Sequence, residues 1–177
     1  IREFPFGMNE LVSMSYSPTG QHILFLTESG DLYVIQRETL NNASIERDDF
    51  FITPDVDTTT KPVFSSDGLS IAFIDRQDAP KVFVQVWAFQ TNNFRDIFLG
   101  DALQPTRITF SPDASQLLLA TEPELGGIAF VQVLDSVTGQ IRRTLSGHRS
   151  AVSALTFSPD GESALTASAD VIVWWNL

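Results

Sequence analysis

Apolar residues in this chain follow the alternation that is typical of β-strands rather than the spacing of an amphipathic helix. Before each of four turn-like segments every second residue is apolar, as at Met14 and Tyr16 and again at Ile108 and Phe110. After each turn comes a nearly continuous apolar run, such as residues 71–74, which predicts a strand buried on both faces. No segment shows a sustained 3.6-residue period, so the pattern predicts an all-β protein.

The same turn sequence recurs four times along the chain. Its aromatic anchors are Tyr16, Phe64, Phe110 and Phe157, which lie 46 to 48 residues apart, and the last copy reads Phe-Ser-Pro-Asp-Gly. Proline fits the second position of a tight turn, and glycine fits the point where the chain reverses. We therefore predict four repeated units whose first strands end at these aromatic residues, with each aromatic side chain largely buried between units.

Each unit also contains a third strand, and most contain a fourth. Third strands rich in β-branched and aromatic residues are predicted at 32–35, 82–87, 129–134 and 171–175. Fourth strands are predicted at 50–52, 94–99 and 141–146, and a similar segment at 1–6 precedes the first complete unit. The last unit has no fourth strand of its own, and an open apolar edge would promote aggregation. We therefore predict that residues 2–6 pair alongside 171–175, in cis or from another copy.

Specific residues of the last unit resemble the WD40 repeat. The unit contains Gly147-His148, then the Ser-Pro-Asp-Gly turn at 158–161, then Ser168-Ala169-Asp170, and finally Trp175-Asn176 where the family has Trp-Asp. The second unit is closer to the related TolB-type propeller repeats. Four-stranded units of this length with doubly buried inner strands are what the blades of a β-propeller require.

The resemblance implies one β-propeller domain over residues 1–177, built of four four-stranded antiparallel blades. The expected blade limits are approximately 8–53, 54–99, 100–146, and 147–177 together with 1–7. The family commonly has seven blades. Three ways of closing the propeller ring remain open: closure by these four blades alone, an eight-blade homodimer, and membership of a larger ring in a longer chain.

The resemblance also implies a hydrogen-bond network within the last unit. In WD40 repeats the His after Gly, a Ser or Thr on the second strand, the Asp of the following turn and the Trp are bonded together. The matching residues here are His148, Ser168 (or Thr166), Asp170 and Trp175. This tetrad is structural in the family, and we expect a structural role for it here.

Charge and composition exclude several classes of function. The chain carries 22 acidic and 11 basic residues, a net charge of −11, which argues against binding to nucleic acid or to anionic membranes. It has no cysteine, which excludes disulfide scaffolds and thiol catalysis. Its longest apolar run is too short for a membrane span. The sequence does not decide the cellular compartment, which is cytoplasmic or, after removal of a signal peptide, periplasmic or extracellular.

Groups suited to catalysis or metal binding are few. Of the two histidines, His148 is assigned to the tetrad, and His22 is expected to be solvated because it follows a turn. There is no Gly-x-Ser-x-Gly motif. Asp55 and Asp57 have a spacing found in calcium loops, but the rest of such a loop is missing. We expect no enzymatic activity, no cofactor and no metal, with a hydrolase or lyase propeller as a less favoured alternative.

One face of the predicted propeller is expected to be acidic. In a propeller, the loops that enter first strands and those that join second to third strands open on the same side. These loops carry the acidic residues Glu28, Asp55, Asp57, Asp75, Asp78, Asp101, Glu122 and Glu124. We therefore predict a non-enzymatic scaffold that binds a basic protein or peptide through this face, with charge steering the encounter. A merely solubilising surface and a loop site for a small ligand, a glycan or calcium are the alternatives.

Overall fold

The strands of the computed structural model follow the predicted units. The structure describes residues 10–41, 50–53, 56–76, 80–101, 104–122 and 129–177. Blade 1 comprises β1 (Leu11–Tyr16), β2 (His22–Thr27), β3 (Leu32–Gln36) and β4 (Phe50–Thr53). Blade 2 comprises β5 (Val63–Phe64), β6 (Ile71–Asp75), β7 (Lys81–Ala88) and β8 (Asn93–Asp101). Blade 3 comprises β9 (Pro105–Phe110), β10 (Gln116–Thr121), β11 (Ala129–Asp135) and β12 (Ile141–His148), and blade 4 comprises β13 (Val152–Phe157), β14 (Ser163–Ser168) and β15 (Ile172–Asn176).

Each blade is one antiparallel sheet whose strands are ordered as they follow one another in the chain. The predicted all-β propeller architecture of four blades is confirmed, and the four first strands end at the four predicted aromatic residues. A short 3₁₀ helix at Arg37–Asn41 was not predicted, because five residues are too few to produce a helical period. The proposed strand at 1–6 lies outside the described residues, and the blade limits remain predictions.

The repeated turn is held together by its serine. In each blade this Ser Oγ accepts a hydrogen bond from the backbone N–H five residues later, at 2.9–3.0 Å, in Ser17, Ser65, Ser111 and Ser158. In blades 2 to 4 the same hydroxyl donates to the Asp two residues on, as from Ser111 to Asp113 at 2.6 Å. Hydrogen bonds from Ser111 and Ser115 lower the pKa of Asp113 to about 2. The turn motif is thus a closed polar unit as well as a chain reversal.

Neighbouring blades pack face to face through apolar side chains of their second and third strands. Leu24 and Leu26 of blade 1 contact the cluster that includes Phe73 of blade 2. Comparable clusters join blade 2 to blade 3 and blade 3 to blade 4. Strands β2, β6 and β10 are buried on both faces, as predicted from their continuous apolar runs.

Two burial predictions are wrong, and both concern the ends of the series of blades. Phe157 is buried, and Phe64 and Phe110 are partly buried, but Tyr16 is 63% exposed. Strand β14 was predicted to be buried on both faces, yet its Leu165 is 45% exposed. Tyr16 and Leu165 lie on the outward faces of blades 1 and 4, which no other blade of the described chain covers.

The prediction that His22 is solvated is also wrong. His22 is the first residue of β2 and is 4% exposed, because Phe89, from the loop after β7, packs edge-on against its ring with centroids 4.9 Å apart. Its Nδ1 atom has no hydrogen-bond partner within the part of the chain that the structure describes. This burial lowers the pKa of His22, so the ring packs as a neutral group between blades 1 and 2.

Candidate functional site

A cavity of about 750 Å³ opens where the loops of blades 1, 2 and 3 converge. Its wall includes Glu28 after β2, Arg76 after β6 and Glu122 after β10, together with residues 56–59 before β5 and 104–107 at the start of β9. These are the loops that join second to third strands and those that enter first strands. Three successive blades therefore contribute to one concave site.

Backbone hydrogen bonds hold the loops around this cavity in place. The Val56 N–H donates to Gly30 across the boundary of blades 1 and 2 at 2.8 Å. The Glu122 N–H donates to Gln104 at 2.8 Å, and the buried Thr60 hydroxyl donates to Pro105 at 3.0 Å. Because the contacts cross between loops and blades, the cavity wall is a fixed part of the fold.

The acidic residues of the cavity fall into two kinds. The Asp57 side chain is only 7% exposed, pairs with Arg76 and accepts hydrogen bonds from the N–H and hydroxyl of Thr59. Glu28 and Glu122, by contrast, are exposed on walls that come from different blades. Asp57 therefore stabilises the wall, whereas the two glutamates present negative charge to solvent.

The other acidic residues predicted for this face are placed differently. Asp75 ends β6, accepts a hydrogen bond from Gln85 Nε2 at 3.0 Å and does not line the cavity. Asp101 is the last residue of β8. Three further predicted members, Asp55, Asp78 and Glu124, lie outside the described residues. Of the eight predicted residues, the structure brings Glu28, Asp57 and Glu122 together.

A chain of side-chain hydrogen bonds joins His148, at the end of β12, to β14 and β15 of blade 4. His148 is completely buried, with Nδ1 2.8 Å from the Ser168 hydroxyl and Nε2 2.7 Å from the Thr166 hydroxyl. The Trp175 indole N–H donates to Thr166 at 2.7 Å, and Ser168 donates to Asp170 at 2.7 Å. The structure thus brings all four predicted tetrad residues together and uses Thr166 in addition to Ser168.

For a neutral His148 ring, which carries one ring proton, counting protons assigns a direction to every bond in this chain. Because the one Ser168 hydroxyl proton goes to Asp170, Ser168 accepts from His148, which places the ring proton on Nδ1. Nε2 is then an acceptor and takes the proton of Thr166, whose oxygen accepts from Trp175. A catalytic Ser-His-Asp triad runs the other way, since its histidine accepts from the serine and donates to the aspartate. This arrangement satisfies buried polar groups rather than activating a nucleophile.

The described ranges of the chain contain no group of three His, Asp or Glu side chains placed to hold a metal ion. None of the helical segments in those ranges has the length and apolar character needed to cross a membrane.

Comparison with protein families identifies the last blade. Residues 139–176 match the model of the WD domain, G-beta repeat. This segment of the chain is similar to a WD40 repeat. The matched range covers β13 to β15 and the β12 strand that carries His148, so the WD40 repeat includes the whole hydrogen-bond chain. No curated protein matches the chain.

The geometry adds two features that the sequence did not reveal. The ion pair between Asp57 and Arg76 joins residues 19 positions apart, and no local pattern indicates it. Arg107 also lines the cavity, and its Nε donates to the Ser153 carbonyl of the WD40 repeat at 2.9 Å. A signal for Arg107 was available in the sequence, because it lies in a first strand close to its entering loop.

Proposed function

We propose that this protein is a non-enzymatic scaffold that binds a basic segment of a partner protein in the cavity shared by blades 1 to 3. A WD40 repeat supports a role in protein interaction in general. The proposal of a basic partner rests on two exposed carboxylates, Glu28 and Glu122, which lie on separate walls of one concave site. A second copy of the chain is another candidate partner, through surfaces away from this cavity.

The mixed charge of the cavity suits a lysine- or arginine-containing segment. Arg76 is engaged by Asp57, and Arg107 donates to the Ser153 carbonyl, so both arginines of the cavity have partners. The exposed glutamates are the carboxylates that an incoming cation can pair with. Interactions between exposed charges weaken as salt rises, because the screening length is about 10 Å at 0.1 M ionic strength. Charge should therefore govern the association rate more than the dissociation rate.

The test compares two double variants with the same change in charge. Glu28→Gln with Glu122→Gln removes the cavity carboxylates, whereas Glu38→Gln with Glu162→Gln removes two exposed carboxylates from the loops at the opposite ends of the strands. The probe is a fluorescent decalysine peptide, followed by anisotropy and stopped flow. We expect the cavity variant to bind at least about tenfold more slowly, as electrostatic steering predicts, and the control to bind as the unmodified protein does.

Other results would contradict the proposal. Equal weakening in both variants would mean that net charge alone attracts the peptide. Affinity that does not change between low and high salt would mean that the exposed glutamates do not steer binding.

A further inference from the structure

The two arginines of the cavity differ in the groups that their charges meet. Arg76 lies against the carboxylate of Asp57, so its charge is compensated within the cavity wall. Arg107 donates from Nε to the Ser153 carbonyl at 2.9 Å and from Nη1 to the Thr106 carbonyl at 2.5 Å. A carbonyl oxygen accepts a hydrogen bond but carries no net charge. Since no carboxylate of the described residues forms an ion pair with Arg107, its positive charge is not neutralised there.

The position of the Arg107 side chain is fixed by two blades. Its backbone belongs to β9 and pairs with Ala120 of β10, and its Nε bonds to the first strand of blade 4. The neighbouring Thr106 hydroxyl donates to the Val152 carbonyl of the same blade at 3.0 Å. The guanidinium is planar, so bonds from Nε and Nη1 also fix the direction of Nη2. Nη2 makes no hydrogen bond with the described residues, and Arg107 is exposed at the cavity wall.

Arg107 lies close to one of the two exposed glutamates. Glu122 directly follows β10, and it is two residues beyond Ala120, the residue that pairs with Arg107. Two residues along a strand span roughly 7 Å, and an extended peptide covers the same distance in about two residues. A bound segment whose cation meets Glu122 therefore brings groups within about two residues of that cation to Arg107.

We propose that Arg107 binds a carboxylate of the segment that occupies the cavity, so that this segment carries an acidic group within about two residues of its lysine or arginine. The inference rests on the proposed function, because Glu28 and Glu122 hold the cation. Hydrogen bonds between a guanidinium and a carboxylate are charge-assisted and among the stronger ones in proteins. A purely basic segment would instead place like charge beside Arg107, so this residue discriminates against such segments.

Arg143 provides a matched control for the bond between blades that Arg107 also makes. It is an exposed arginine of β12, donates from Nη1 to the Asn176 carbonyl of blade 4 at 3.0 Å, and does not line the cavity. Arg107→Gln and Arg143→Gln therefore remove the same charge and a comparable bond to blade 4. Only the first substitution removes a donor from the cavity.

The test compares fluorescent decapeptides by anisotropy titration. The parent peptide alternates lysine and asparagine and has an amidated C-terminus. In a series of peptides each asparagine in turn is replaced by aspartate, and one further peptide is the parent with a free C-terminal carboxylate. Each of these has less positive charge than the parent, so steering by the acidic cavity alone predicts weaker binding. Contact with Arg107 instead predicts that at least one of them binds about three- to tenfold more tightly.

The arginine variants show which residue causes the gain in affinity. We expect Arg107→Gln to abolish the gain without weakening the parent peptide, and Arg143→Gln to retain it, with circular dichroism confirming that both are folded. A gain with aspartate identifies a side-chain carboxylate, and a gain with the free C-terminus identifies a chain end. No gain in the unmodified protein, a gain that survives in Arg107→Gln, or equal loss in both variants would overturn the inference.

Failure of this inference is distinguishable from failure of the proposed function. If the parent peptide binds and Glu28→Gln with Glu122→Gln slows its association, but no carboxylate improves its affinity, only the role of Arg107 is wrong. If the parent peptide does not bind, or binds independently of the two glutamates, the proposed function fails and this inference fails with it. The peptide comparison on the unmodified protein does not depend on the folding of any variant.

Discussion

Replacement of Thr166 by valine tests the hydrogen-bond chain of the WD40 repeat most directly. Valine has nearly the shape of threonine, so the substitution removes the hydroxyl and little else. The hydroxyl has two partners, His148 Nε2 and Trp175 Nε1, each 2.7 Å away. Each of these two atoms loses the one hydrogen bond that it makes within the described residues, and the ring of His148 is completely buried.

The expected loss of stability follows from these two partners. A buried polar group left without a hydrogen bond costs about 1–3 kcal/mol. His148 should contribute the larger share, and the partly buried Trp175 should contribute near the lower limit. We expect Thr166→Val to lower the free energy of unfolding by about 2–4 kcal/mol, which corresponds to a fall in Tm of roughly 4–16 °C for a chain of this size.

Thermal and urea unfolding followed by circular dichroism measure this loss. Thr144→Val, at an exposed position of β12, is the matched control and should shift Tm by no more than about 2 °C. In a double-mutant cycle, Trp175→Phe should cost less in the Thr166→Val background, because its indole N–H already lacks a partner. Equal effects of the two threonine substitutions, or additive effects in the cycle, would refute the hydrogen-bond assignment.

Three further predictions concern packing, pH and the start of the chain. Phe157→Ala should lower the free energy of unfolding in urea by about 3–5 kcal/mol, because Phe157 is buried. Tyr16→Ala should lower it by under about 1 kcal/mol in the monomer, because Tyr16 is mostly exposed. Similar losses in the two variants would contradict this. Because the pKa of Asp113 is lowered to about 2, its carboxylate contributes stability that is present above pH 4 and is lost as the pH falls toward about 2. Asp113→Asn should therefore flatten the dependence of Tm on pH in that window. An unchanged slope would refute this contribution. Deletion of residues 1–7 should lower Tm or solubility if they pair with the last blade, and an unchanged melt would exclude that pairing.

The strand ends were predictable because they depend on local chemistry. Proline, aspartate and glycine at fixed offsets determine where each hairpin turns, and alternation of apolar residues determines the strands before it. The first strands consequently end at Tyr16, Phe64, Phe110 and Phe157 as predicted. The tetrad partners of His148 were also accessible from sequence, through the motif of the repeat.

Burial was only partly predictable, because it depends on what lies across each sheet. Tyr16 and Phe157 occupy the same position in their repeats, yet one is mostly exposed and the other is buried. His22 follows a turn that is locally ordinary, and its burial comes from Phe89 on the neighbouring blade. The residues that pack around such a position lie tens of residues away in the chain, so no local sequence pattern indicates them.

The amino-acid sequence by itself determined the repeated unit, the strand order within each sheet and the motif of the WD40 repeat, since all of these arise from interactions between residues close in the chain. Only the tertiary structure decided which apolar faces are covered, how Asp57 pairs with Arg76, and how loops of three blades form one cavity. Those features depend on the placement of whole blades against one another. That placement depends on packing between side chains that are distant in sequence. The packing energy is gained only when both faces are present.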